Sequence, residues 1–145
     1  MLACFFSAVL LCSASLVAAA PGSRNHTVTR RDEGWTRTGK GTVYAQEGTA
    51  GSCGNWHDDD DQIVALGHFW MKHEYQAERC GRKIRVKNIG SDYDGLGGEG
   101  NEIIVTVQDS CDSCGKNHLD FSIGAWNELT DESEWGELNI EWNWL

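Results

Sequence analysis

The chain has 145 residues, with 22 Asp and Glu against 12 Lys and Arg, a formal charge of −10. That balance excludes the broad basic surface that nucleic-acid binding requires, and it weakens attraction to acidic polymers such as pectin. The length left after an N-terminal leader is enough for one hydrophobic core and not two.

Residues 1–20 run from Met1-Leu2-Ala3-Cys4-Phe5-Phe6 through small residues to Val17-Ala18-Ala19-Ala20, ahead of Pro21. An apolar core this short, interrupted by Ser and Cys and closed by small residues, predicts a secretory signal peptide; a membrane span needs roughly 20 apolar residues. No membrane partner is expected. Residues 21–31 are polar and end on the dibasic pair Arg30-Arg31, which reads equally as a propeptide boundary or as a solvated tail. Asn25-His26-Thr27 in that segment is an N-glycosylation sequon. Residues 32–145 form the expected extracellular domain, a monomer in which nine Lys and Arg stand against all 22 acids and leave −13.

Strand-like segments then recur at 41–45, 63–66, 83–87, 103–107 and 137–142, separated by Gly-rich or acidic turns. Alternation is clearest in two of them. Ile84 and Val86 oppose Lys83, Arg85 and Lys87, and Leu138, Ile140 and Trp142 oppose Glu137, Asn139 and Glu141. The Lys and Arg row reads as a solvated strand face. Residues 67–78 predict one short helix, and Ser122 predicts the cap of a second over Ile123 to Leu129, with Ile123, Trp126 and Leu129 as its apolar stripe. The Gly-rich run 88–101 predicts a long hairpin loop without packing of its own. Many short strands with one or two helices predict a mainly β chain closed into a small barrel.

Cys4 and Cys12 leave with the leader. Cys53, Cys80, Cys111 and Cys114 remain, an even number for an oxidising compartment, and imply two disulfides out of three connectivities. Cys53–Cys80 with Cys111–Cys114 is the favoured pairing. A zinc site from Cys111, Cys114 and His118 competes with it, but secretion and the lack of a second Cys-x-x-Cys weigh against it. Asp58-Asp59-Asp60-Asp61 lacks the alternating spacing of a calcium loop and reads as a solvated acidic turn. Neither metal nor cofactor is expected.

The most informative stretch is Gln108-Asp109-Ser110-Cys111-Asp112-Ser113-Cys114, followed by His118-Leu119-Asp120-Phe121-Ser122. A strand delivers one carboxylate, a cysteine-stapled turn and a second carboxylate, and a loop folding back brings Asp109 and Asp120 together. Each Asp also has a plain structural role open to it: Asp109 can bond loop N–H groups, and Asp120 can cap the following helix. Trp126 and Trp142 fit apolar stripes and belong to the core, whereas Trp56 and Trp70 lie near polar turns.

Six motifs in order, Gly41-Thr42-Val43-Tyr44, Ser52-Cys53-Gly54, Asp61 to Leu66, Cys80-Gly81-Arg82-Lys83-Ile84, Val105 to Cys114 and His118 to Ser122, are closed by a Gly136-x-Leu138-x-Ile140-x-Trp142 strand. This series resembles secreted fungal double-psi β-barrel proteins of the rare lipoprotein A-like group, related to expansins, loosenins, barwin and the family-45 endoglucanases. The resemblance covers nearly all of residues 32–145 and implies a six-stranded double-psi β-barrel with one or two short helices. His118-Leu119-Asp120-Phe121-Ser122 looks like the expansin His-Phe-Asp-Leu-Ser motif. On that basis Asp120 and Asp109 are the groove carboxylates, Thr42 lies beside them, His118 is a further groove residue, and Tyr44 and Trp56 are the candidates for ring stacking. Where bacterial expansins carry a groove Tyr two residues after the first Asp, this chain has Cys111. No counterpart of the expansin β-sandwich domain is seen, so strong autonomous cellulose binding is not expected.

The implied function is binding of cell-wall polysaccharide (cellulose, chitin or a related glucan) with loosening and no hydrolysis. The first strand lacks the Asp that the endoglucanases use as base, and Glu47 just beyond it sits in no matching motif. Two alternatives stand beside this. One is a protein-binding module, a cysteine-protease inhibitor or effector, working through the loops near Asp58 and Gly95. The other is a glycosidase or lytic transglycosylase that uses Asp109 or Asp120, with His118, as its acid.

Overall fold

The computed structural model describes residues 37–93 and 95–145, so the predicted signal peptide at 1–20 and the polar segment at 21–31 lie outside the described residues. Six strands, β1 (Arg37–Val43), β2 (Ile63–Gly67), β3 (Lys83–Asn88), β4 (Glu102–Cys111), β5 (Leu119–Phe121) and β6 (Leu138–Trp144), are joined by two helices, α1 (His68–Met71) and α2 (Ile123–Thr130). The strands close into a barrel in the order β1-β5-β2-β4-β3-β6. β1 runs parallel to β5 and β2 to β4, and the remaining neighbours are antiparallel.

Period-2 alternation explains what fills the barrel. Ile84 and Val86 of β3, Val105 and Val107 of β4, Leu119 and Phe121 of β5, and Leu138 and Ile140 of β6 point inward and are fully or almost fully buried. Each such side chain contributes roughly 1.5–3 kcal/mol by leaving water. Lys83 and Arg85 stay on the solvated face, as their alternation predicts.

Ser122 starts α2: its Oγ accepts from the Ala125 N–H at 3.4 Å and donates to the Asp61 carbonyl at 2.5 Å. The cap role open to Asp120 is therefore filled by Ser122, and Asp120 sits in the middle of β5. The helix expected over 67–78 is only four residues long, because Lys72 and His73 adopt left-handed φ values of 53° and 56° and end it. The 88–101 segment is a β3–β4 hairpin loop as expected, but it does pack. Leu96 lies against the core, Asn88 Nδ2 donates to the Gly97 and Leu129 carbonyls at 3.0 Å each, and a Cβ at Gly98 would meet the Leu129 carbonyl at 2.3 Å.

Both favoured disulfides are present, Cys53–Cys80 and Cys111–Cys114. One end of the barrel is plugged by Trp70, Trp142 and Trp144, whose ring centroids lie 5.5–5.9 Å apart and edge-on. Arg37, Arg79 and Arg82 lie over these rings at 4.4–5.7 Å. Trp142 is core, as predicted. Trp70 is no free platform: its Nε1 donates to the Lys116 carbonyl at 2.5 Å and its ring belongs to the plug.

Candidate functional site

Register places the site. Thr42 of β1 is paired with Asp120 of β5, Asp120 with Ala65 of β2, and Ala65 with Asp109 of β4, so four residues form one row across four neighbouring strands. In β2 and β5 the sequence neighbours, Val64 and Leu66, Leu119 and Phe121, belong to the core, so the row turns away from it. Ala65 is the smallest of the four and is buried between the two acids, whose Cα atoms are two strand spacings, about 9–10 Å, apart.

Asp109 reaches this row because of a β-bulge. Val64 pairs with Val107, but Ala65 pairs with Asp109, so Gln108 is the extra residue. Strict alternation would have turned Asp109 inward; the bulge re-aims it to the outer face. Gln108 is used in the same step. Its carbonyl accepts from the Cys53 N–H at 3.2 Å, and its side-chain oxygen accepts from Asn55 Nδ2 at 3.1 Å, which docks the 51–55 turn on the bulge. Gly51 is required there, since a Cβ would lie 2.5 Å from the Gln108 carbonyl oxygen and 3.1 Å from Asp109 Cγ.

The two carboxylates have different surroundings. Asp109 Oδ1 accepts from the backbone N–H of Ser52 at 2.7 Å and from its neighbour Ser110 at 2.8 Å. Asp120 is held by side chains: Thr42 Oγ1 donates to its Oδ1 at 2.5 Å and also bonds His118 Nε2 at 2.9 Å. The hydroxyl has one proton, given to Asp120, so His118 is the donor in the second bond and carries its proton on Nε2. Burial raises the Asp120 pKa, the Thr42 bond and His118 oppose the rise, and the charge of Asp109 adds to it.

Tyr44 follows β1, half-buried, with its hydroxyl accepting from Gln46 Nε2 at 2.5 Å. Burial, then the charges of Asp109 and Asp120, push its phenol well above the ordinary value, so it remains a neutral hydroxyl close to both acids. Trp56 is 70% exposed on the loop after the 51–55 turn, where Ala50 and Trp56 form a bridge. The predicted residues Thr42, Asp109, His118 and Asp120 thus come together, with Tyr44 beside them and Trp56 on the adjoining loop. Sequence reading missed Gln108 and Gly51, which position Asp109, and Ala65, which separates the acids. The only hint of them was that alternation in β4 stops after Val107.

The Cys111 and Cys114 sulfurs lie within 4.8 Å of an Asp120 oxygen. They are joined to each other, so they offer no thiolates to a metal. The acids at 58–61 form a solvated turn as expected, with Asp58, Asp60 and Asp61 exposed and Asp61 paired with His57 at 2.9 Å; Asp59 alone is partly buried, its Oδ1 accepting from the Gln46 N–H at 2.7 Å.

No protein-family model matches the chain. Among curated proteins it is similar to ripening-related protein 7 of Oryza sativa subsp. japonica, with 32% identity over 66% of this chain and 59% of that protein. It is also similar to the ripening-related protein grip22 of Vitis vinifera, with 28% identity over 66% of this chain and 44% of that protein. The chain therefore spans about half the length of these plant relatives. Among solved structures it resembles a Streptomyces papain inhibitor, with a TM-score of 0.58, 29% identity, and coverage of 77% of this chain and 96% of the inhibitor. The expansin of Clavibacter michiganensis gives a TM-score of 0.60 and 26% identity over 76% of this chain and 50% of the expansin. The fold is a double-psi β-barrel. A variant of that expansin, solved in complex with cellohexaose, has a TM-score of 0.58 at 24% identity over 76% of this chain and 50% of that chain. The blue-mussel endoglucanase Cel45A has a TM-score of 0.60 at 16% identity over 77% of this chain and 80% of that chain. These last two likenesses concern the fold alone.

Proposed function

We propose that this is a secreted, expansin-like protein that binds cell-wall polysaccharide along the Thr42–Asp120–Ala65–Asp109 row and loosens contacts between polymer chains without cutting them. The row itself carries the reading. Two carboxylates stand on one row either side of the small residue Ala65, with a neutral phenol and an exposed indole nearby. Carboxylates accept sugar hydroxyls, and an indole face takes the apolar face of a pyranose ring. The likeness to an expansin, a variant of which was solved with cellohexaose, supports the same reading. Two disulfides among the described residues suit an oxidising compartment, and residues 1–20 would act as the leader, with Arg30-Arg31 as a processing site.

Two carboxylates on one row are also what an inverting glycosidase uses, with its carboxyl groups roughly 6.5–9.5 Å apart. The bonding argues against hydrolysis. Two backbone N–H groups on Asp109 Oδ1 favour its charged, acceptor form over a proton-donating one, and β1 offers the Thr42 hydroxyl where a base would be needed. In a sedimentation assay with insoluble cellulose and chitin the purified protein should be retained and release no new reducing ends. Reducing ends released from cellulose, chitin or peptidoglycan by the wild type, and lost in Asp120→Ala, would make it an enzyme with Asp120 as acid.

A second reading is favoured by one observation, the 29% identity to a papain inhibitor across nearly all of that inhibitor's length. On this reading the loops near Asp58 and Gly95 dock on a protease. Inhibition of papain without retention on polysaccharide would replace the first reading with this one.

A further inference from the structure

We propose that the groove selects polysaccharides bearing free amino groups, polymers of deacetylated amino sugars whose ammonium groups pair with its carboxylates. This rests on the reading of the row as a sugar-binding groove and adds the charge of the polymer that fits it.

The groove continues past Asp109. Ser52 and Ser110, whose N–H groups hold Asp109, also line an open cleft of about 280 Å³ together with Glu74, Tyr75, His68 and Asp112. Tyr75 is 71% exposed, and Asp112 is 87% exposed and touches His68 Nε2 at 2.6 Å. Asp112 and Glu74 line this cleft beside the exposed ring of Tyr75, and two further lining residues, Ser52 and Ser110, hold Asp109 of the row. No Lys or Arg lines the cleft; its basic groups are the imidazoles of His68 and His73. The charges of Asp109, Asp120 and Asp59 raise the Tyr44 pKa, and His118 opposes the rise at Asp120.

The cations near the row are already engaged. Lys40, two residues before Thr42 on β1 and on the same face, is bonded to Asp92 and Glu137; Lys116, in the turn before His118, lies over Phe69; and Lys87 is bonded to Glu102. Arg37, Arg79 and Arg82 are stacked on the tryptophan plug, and Lys83 and Arg85 point outward from β3, which is not among the four strands of the row. Lys72 alone is next in sequence to a cleft residue. A neutral glucan has no use for this division. A polymer with an ammonium group on each sugar would meet a carboxylate along the whole groove, and a uronate polymer would be repelled.

The test is titration of the purified secreted protein with four hexamers: glucosamine, N-acetylglucosamine, glucose (cellohexaose) and galacturonate, in mildly acidic buffer at low and then high salt. Exposed carboxylate–ammonium pairs are individually weak, so the glucosamine hexamer should bind at least about fivefold more tightly than either neutral hexamer. The galacturonate hexamer should bind worst, and the preference should collapse at high salt. The double variant Glu74→Gln/Asp112→Asn should lower the ratio of glucosamine to N-acetylglucosamine affinity. Equal binding of charged and neutral hexamers, or a preference that ignores salt, overturns this inference and leaves groove binding in place. Failure of all four hexamers to bind overturns both.

Discussion

Two parts of the barrel collect aromatic rings and charges, and they use them in opposite ways. At the plugged end, Trp70, Trp142 and Trp144 are interleaved with Arg37, Arg79 and Arg82, so every ring has a partner within the protein. On the row face, Trp56 and Tyr75 are exposed, and the adjoining cleft has carboxylates with only imidazoles among its lining residues as counter-charges. The first arrangement is already satisfied and therefore stabilises the fold. The second gains when a ligand supplies the missing apolar and polar contacts.

If that division is right, the largest loss of stability should come from the plug. Trp142→Ala deletes a side chain that is 1% exposed and should cost about 3–5 kcal/mol in urea denaturation. Next is the double replacement Cys53→Ser/Cys80→Ser, which opens a 27-residue interval worth about 3.5 kcal/mol in chain entropy, against about 1.5 kcal/mol for the three-residue interval of Cys111–Cys114. A larger loss on opening the short loop would show that its role is to hold the site and not to limit the unfolded chain. Asp109→Ala should follow at about 1–3 kcal/mol, because Ser52 and Ser110 lose their acceptor. Trp56→Ala, in contrast, should move stability by less than about 0.5 kcal/mol while weakening oligosaccharide binding by roughly 0.5–1.5 kcal/mol.

The smallest effect concerns Asp120 and pH. Burial raises its pKa in the folded chain, so the folded state holds that proton more tightly than the unfolded state does. Stability from this group is therefore lost as pH rises from the unfolded carboxylate range through the folded pKa. In Asp120→Asn that loss is absent. Melting curves of variant and wild type should converge at acid pH and separate in the variant's favour as pH rises; a constant offset would mean that Asp120 stabilises the fold through its bonds to Thr42 alone.

Much of this architecture could be read from local pattern. The strands at 83–88 and 138–144 alternate cleanly, the strand at 63–67 reads from its apolar run, and Ser122 opens α2 as its position predicts. What escaped depends on partners distant in sequence. β5 has three residues, too few for a period, and takes its place only by pairing with β1 and β2. β4 runs on to Cys111 because a bulge at Gln108 absorbs one residue, and that bulge turns Asp109 outward. The plug joins Arg37 from the first strand, Arg79 and Arg82 from a turn, and two tryptophans from the last strand, which no sequence window contains. Asp120 could be found by motif, but its bond to Thr42 required the parallel register of β1 and β5.

The most direct test of the central claim, that a sugar polymer occupies the row, is an amide chemical-shift titration of the isotopically labelled protein with a soluble hexasaccharide. Shifts should concentrate at Thr42, Tyr44, Trp56, Ala65, Asp109, His118 and Asp120, and fade in Trp56→Ala. Shifts confined to the tryptophan plug or to the 88–101 loop, or no shifts at saturating sugar, would contradict the assignment of the row as the binding site.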